Sequence, residues 1–228
     1  MIVEICANSC RSAAHAKAGG ADRIELCRQL EVGGTTPTPE EIAYCVHELG
    51  IRTHVLVRPR AGDFVYNDHE FAAIEREVAM CRRAGAQAVV VGFLTPEGCI
   101  DECRTRRIVE LARPMEVTFH RAFDEICQPP EEALEAVIGC GCHRLLTSGC
   151  RPTAEEGIET LKTLGRRAAG RIIILAGAGV TPRNVRRILQ DASLTEIHGS
   201  CKRTLPDGTM ETDPEIVREL VRQVGVLR

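Results

Sequence analysis

One supersecondary unit, repeated along the chain, constrains the fold more than any other feature. An amphipathic helix ends in glycine and a short aliphatic run follows: "AHAKAGGADRIEL", "MCRRAGAQAVVVGF", "EAVIGCGCHRLLTSG" and "GRRAAGRIIILAGAG". Glycine just past a helix supplies the left-handed cap. Consecutive Val, Ile and Leu make a strand buried on both faces. Such strands are expected at 2–6, 23–27, 52–58, 87–92, 115–120, 143–148, 171–176 and 195–199. Helical patterns lie between them, near 12–18, 39–49, 68–84, 101–112, 130–139, 155–168, 182–190 and 213–224. Start signals such as Thr38-Pro39-Glu40-Glu41, Pro129-Pro130-Glu131-Glu132 and Thr212-Asp213-Pro214 mark several of these helices.

Eight β-α units in 228 residues predict an α/β fold, a single (β/α)8 TIM barrel spanning 1–228. The usual size of that fold is about 250 residues. An open doubly wound sheet is the competitor, but no G-x-G-x-x-G follows the first strand.

Several function classes drop out on bulk properties. A formal charge of −3, no Trp and two Tyr argue against a nucleic-acid partner. The apolar runs are too short to span a membrane. No apolar leader precedes a cleavage site, so a cytoplasmic protein is expected. The twelve cysteines are then expected to be reduced, with Cys45, Cys81 and Cys140 as small core residues.

Alternation along the strands assigns the lumen. Strands 1 and 2 both carry Glu-x-Cys, and with Glu4 and Glu25 inward, Cys6 and Cys27 face inward too. Adjacent strands place the two thiols at matching height, with the carboxylates deeper inside. The other strands contribute His54 and Arg58, then Thr118 and His120 with Arg121 and Asp124 just beyond, Thr147 and Ser148, and finally Glu196, His198 and Ser200. A filler role would have Arg58 and imidazoles neutralising Glu4 and Glu25. Desolvating ions costs several kcal/mol each, so so ionic a lumen favours function.

After the seventh strand, "LAGAGVTPRNV" offers backbone N–H groups at Gly177 and Gly179, Thr181 as a cap and Pro182 as first helical residue. Barrels often bind phosphate in this region. Thiolates suit Cu(I), which makes Cys6 and Cys27 a candidate metal pair that Cys10 and Cys201 could join from the rim. Cys140-Gly141-Cys142 and Cys99/Cys103 read as structural or ambiguous. No CxxC…CxxC, HExxH, G-x-S-x-G or P-loop pattern occurs.

The segments "EICANS", "GADRIELC", "GGTTPTP", "VRPRAGDFVYND", "VTFHRAFD", "LLTSG", "AGAGVTPRN" and "EIHGS" run in order through residue 200. In them the chain resembles the CutC family of copper homeostasis proteins. The resemblance implies a cytoplasmic TIM barrel, a homo-oligomer such as a dimer, and copper handling with Cu(I) bound through cysteines. The family's shared polar set falls on Glu4, Glu25, Arg58, Arg60, His120, Arg121, Asp124, Thr147, Ser148 and His198. The chain departs from the family at Val65, where some members carry Cys, and at Ser200-Cys201-Lys202.

Two functions fit. A binding protein would hold a copper ion on Cys6 and Cys27, with Glu4, Glu25 and the histidines in support. An isomerase, epimerase or lyase would bind a small anionic or phosphorylated ligand through Arg58 and the Gly177–Gly179 loop. Glu25, His120 or His198 would then be its general acid or base.

Overall fold

The computed structural model describes residues 1–206 and 208–227. Among these, eight parallel strands close a barrel in sequence order, β8 pairing back onto β1. The strands are β1 Ile2–Ala7, β2 Arg23–Leu26, β3 Thr53–Leu56, β4 Ala88–Val91, β5 Glu116–Phe119, β6 Arg144–Thr147, β7 Ile173–Ala176 and β8 Glu196–Gly199. Outside them run α1 Cys10–Ala18, α2 Pro39–Ala43, α3 Asp68–Arg83, α4 Glu102–Ala112, α5 Pro130–Gly139, α6 Ile158–Ala168, α7 Val185–Ala192 and α8 Pro214–Gly225. The expected (β/α)8 barrel is what the chain forms. No helix among the described residues is long and apolar enough to cross a membrane.

Local chemistry sets the helix starts. Thr38 with Glu41 and Asn67 with Glu70 form reciprocal capping boxes at α2 and α3. The Ser9 and Asp213 side chains cap α1 and α8. Two helices start later than their sequence pattern predicts. Before α6, residues 151–157 fold into turns, with Ala154 N–H donating to the Ala178 carbonyl and Gly157 pressed against Ser148. Before α7, the Asn184 side chain accepts from Thr181 N–H and donates to the Gly179 carbonyl, so Pro182 lies outside the helix.

One element has no counterpart in the strand pattern. After β8 a hairpin forms from β9 Lys202–Thr204 and β10 Met210–Thr212. It docks on α1: Asn8 Nδ2 donates to the Met210 carbonyl, and Thr212 N–H donates to Ser12 Oγ.

The core has two parts. Val3, Ile5, Ile24, Val55, Val89 and Val117 point outward into the helical shell and are fully buried. Cys6, Cys27, Leu56 and Val90 form a separate apolar cluster. Alternation along β1 to β4 places that cluster on the lumen side.

Candidate functional site

The floor of the lumen is an ionic chain built largely from strand-initial residues. Arg23 spans Glu4 and Glu196, with 2.5 Å to each. Arg144 lies 2.9 Å from the same Glu196 oxygen and 2.5 Å from Glu116, which Arg52 meets at 2.8 Å near the surface. Charges therefore alternate across the barrel. Arg23, rather than Arg58, is the guanidinium that neutralises Glu4, while Arg144 serves Glu196 and Glu116. Their signal was available, since each shares parity with an inward carboxylate or threonine on its own or a neighbouring strand.

Above this floor, Glu4 reaches His198. Nδ1 of His198 lies 2.8 Å from Glu4 Oε1, and His54 Nδ1 lies 3.2 Å from Glu4 Oε2. Burial pushes the Glu4 carboxyl up, but Arg23 and the two histidines outweigh it and hold it well below the usual range. Burial lowers the pKa of His54 against the pull of Glu4, so this ring favours the neutral form. Burial also works against charge on His198, yet Glu25, Cys6 and Glu4 together raise it well above the ordinary imidazole value. Glu25 stays poised: burial raises it to about 7 against the pull of His198, and one carboxylate oxygen has no hydrogen-bond partner.

The register corrects the placing of the thiols. Cys6 is level with Glu25, not with Cys27, because β1 and β2 pair with Glu4 opposite Arg23. Cys6 Sγ still lies 3.7 Å from Cys27 Sγ across the diagonal. Cys6, Glu25 and His198 each bring one ligand-type atom within 4.8 Å of the others, and among the described residues this is the group able to hold a metal. Cys27 adds a second sulfur at its edge. The hydrogen bond to Cys27 and burial push the Cys6 thiol well above its ordinary value. Cys10 and Cys201 do not join. Cys10 interacts with Cys45, and Cys201 is buried in the helical shell with its thiol pushed up to about 12.

Other residues divide between the cavity and its supports. A cavity of about 1910 Å³ opens at the C-terminal end of the strands, lined by Cys6, Glu25, Arg58, His120 and His198 among others. Asp124 latches the loops after β5 and β6: its carboxylate accepts from Thr147 Oγ1, from Ser148 and Cys150 N–H, and from Arg121 Nε. Ser148 Oγ donates to the Arg151 carbonyl. Gly177 spends its N–H on the Thr147 carbonyl, because it continues the strand ladder. A side chain there would strike Leu146 and crowd His198. Gly179 lines the mouth in the left-handed region, at φ 68°. Arg60 lies off the cavity, paired with Glu70 and Asp63.

A closed parallel barrel with Glu25, His198 and two thiols gathered at the C-terminal end of its strands defines a (β/α)8 protein with a polar cavity where this fold carries its sites. The sequence model of the CutC family matches residues 1–203, and the chain belongs to that family. A CutC family protein of Porphyromonas gingivalis is 44% identical over 216 residues, 95% of this chain and 87% of that protein. The human copper homeostasis protein cutC homolog is 41% identical over 207 residues, 91% of this chain and 76% of that one. The crystal structure of CutC from Streptococcus agalactiae superposes with a TM-score of 0.82 at 32% identity, covering 88% of this chain and 98% of that one.

Proposed function

We propose that the protein captures copper as Cu(I) on Cys6 and Cys27, inside the cell. The carrying observation is the 3.7 Å separation of two buried sulfurs beside His198 and Glu25. Soft sulfur donors select Cu(I). A metal held by two thiolates leaves one net negative charge, and the His198 imidazolium supplies the counter-charge. The described cysteines are all free, which suits a reducing compartment. Each thiol must lose its proton to bind, so affinity should rise with pH.

Anaerobic Cu(I) titration against a competing chelator tests this reading. One ion per chain is expected for the wild type, with stoichiometric binding lost in Cys6→Ser/Cys27→Ser. His198→Gln should weaken binding roughly 10- to 100-fold, as loss of a supporting group does. Equal binding by the wild type and the double variant would sink the proposal.

A second reading rests on a different observation: Glu25 lines the cavity, burial raises it to about 7, and one of its buried oxygens has no hydrogen-bond partner. Glu25 would move a proton to or from a small anionic substrate, with His198 beside it stabilising negative charge. The measurement is solvent deuterium exchange into small hydroxy- and oxo-acids, lost in Glu25→Gln but kept in Cys27→Ser. No exchange into any of them would remove this reading.

A further inference from the structure

Arg58 follows β3 and is a buried cation with no carboxylate partner in its hydrogen bonding. Nη1 donates to the carbonyls of Val32 and Gly34, at 3.1 and 3.2 Å, and Nη2 donates to that of Gly62 at 2.7 Å. All three acceptors are neutral. The guanidinium lies 4.9 Å from the Phe64 ring centre, and Nε has no partner. Buried charges are normally paired, because desolvation is costly otherwise.

The same ring carries a second unpaired donor. The centroids of the His120 and Phe64 rings lie 4.8 Å apart, with their planes tilted by 56°. Its Nδ1 accepts from Ala122 N–H at 3.1 Å, which fixes the neutral tautomer with hydrogen on Nε2. That Nε2 is buried without a partner. Burial and Arg58 lower the His120 pKa to about 3, so the ring donates here without titrating near neutrality. Gly92 makes the seat: a side chain there would lie 2.4 Å from two His120 ring atoms.

Both residues line the cavity wall, and both are over nine-tenths buried. Arg58 follows β3, which is next to the β2 strand that carries Glu25, and His120 follows β5, opposite the β1 strand that carries Cys6. We propose that Arg58 Nε–H and His120 Nε2–H form a carboxylate-binding subsite, the anchor for a small organic monoacid. One uncompensated positive charge and two donors flanking an aromatic ring match one carboxylate. A phosphate dianion would bring a second charge with no second cation among the groups that form this subsite. The assignment is independent of copper at Cys6. It also gives the proton-transfer reading a place to hold its substrate's acid end.

The test uses metal-free, reduced protein with histidine labelled by nitrogen-15, titrated separately with glycolate and inorganic phosphate. Glycolate should shift the His120 Nε2 resonance saturably, and phosphate should shift it more weakly or not at all. Calorimetry should then show that His120→Phe weakens glycolate binding by about tenfold or more, the usual worth of a hydrogen bond to a charged group. His120→Gln, which restores an N–H donor, should recover part of the loss. No shift with glycolate, or His120→Phe binding as tightly as the wild type, would overturn the proposal. Tighter binding of phosphate than of glycolate would overturn the carboxylate assignment. If His120→Phe does not fold, the wild-type resonance and His120→Gln decide it.

Discussion

Glu25 and Glu4 lie in one lumen with opposite protonation behaviour, and this makes stability testable against pH. Burial raises Glu25 from an ordinary 4.5 to about 7, so the folded state holds a proton that the unfolded chain has already released. Its contribution is present below 4.5 and lost as pH climbs to about 7, a loss of at most about 3 kcal/mol. Glu4 runs the other way: held below its ordinary 4.5, it stabilises above that value and loses this as pH falls. Urea denaturation across that range should show Glu25→Gln losing less stability with rising pH than the wild type. A parallel profile for both would mean that Glu25 ionises normally. Strand parity made these acids legible in the sequence, as it did Cys6, Cys27 and His198. Their protonation was not legible, since it depends on which of Arg23, His54 and His198 each carboxylate meets.

At the level of elements, the floor and the His120 seat carry separate predictions. Replacing Arg23 by Met leaves Glu4 buried beside histidines alone, and the expected cost is about 3–5 kcal/mol in chemical denaturation. Adding Glu4→Gln should recover much of that loss. Gly92→Ala intrudes on the His120 ring and should cost about 1–3 kcal/mol while abolishing the glycolate-induced shift. Unchanged stability in Gly92→Ala would mean that the ring has room to move. The strands and helices could be read from glycine-ended helices and aliphatic runs because those signals are local. The hairpin of β9 and β10 could not, since "CKRTLPDGTMET" has little apolar alternation. That hairpin is held by contacts such as those with Asn8 and Ser12, about two hundred positions earlier in the sequence. The late start of α6 has a similar origin, in the distant bond from Ala154 to Ala178, and that of α7 lies in the Asn184 side chain.

For the molecule as a whole, the last helix lies beyond the residues that match the family, which end at 203, yet it completes the helical shell. Val217, Leu220 and Val224 of α8 are fully buried, and the helix packs on α1 and α7. Burying each such side chain contributes roughly 1.5–3 kcal/mol, so the three together are comparable to the whole stability of an ordinary domain. A chain ending at Thr212 should therefore fail to unfold cooperatively on heating, and Leu220→Ala should cost about 2–5 kcal/mol. A cooperative transition in the truncated chain would show that α8 is an accessory.

The diagonal pairing of β1 with β2 has one further consequence. If their strands were level, two copies of the same Glu-x-Cys step would set acid beside acid and sulfur beside sulfur. The stagger turns the pair into a screw thread, so the thiol of one copy looks at the acid of the next. A guest entering the mouth thus meets a thiol and an acid side by side at one level rather than two like groups. The two faces of a flat molecule lying there are inequivalent, and two mirror-image guests should not fit alike.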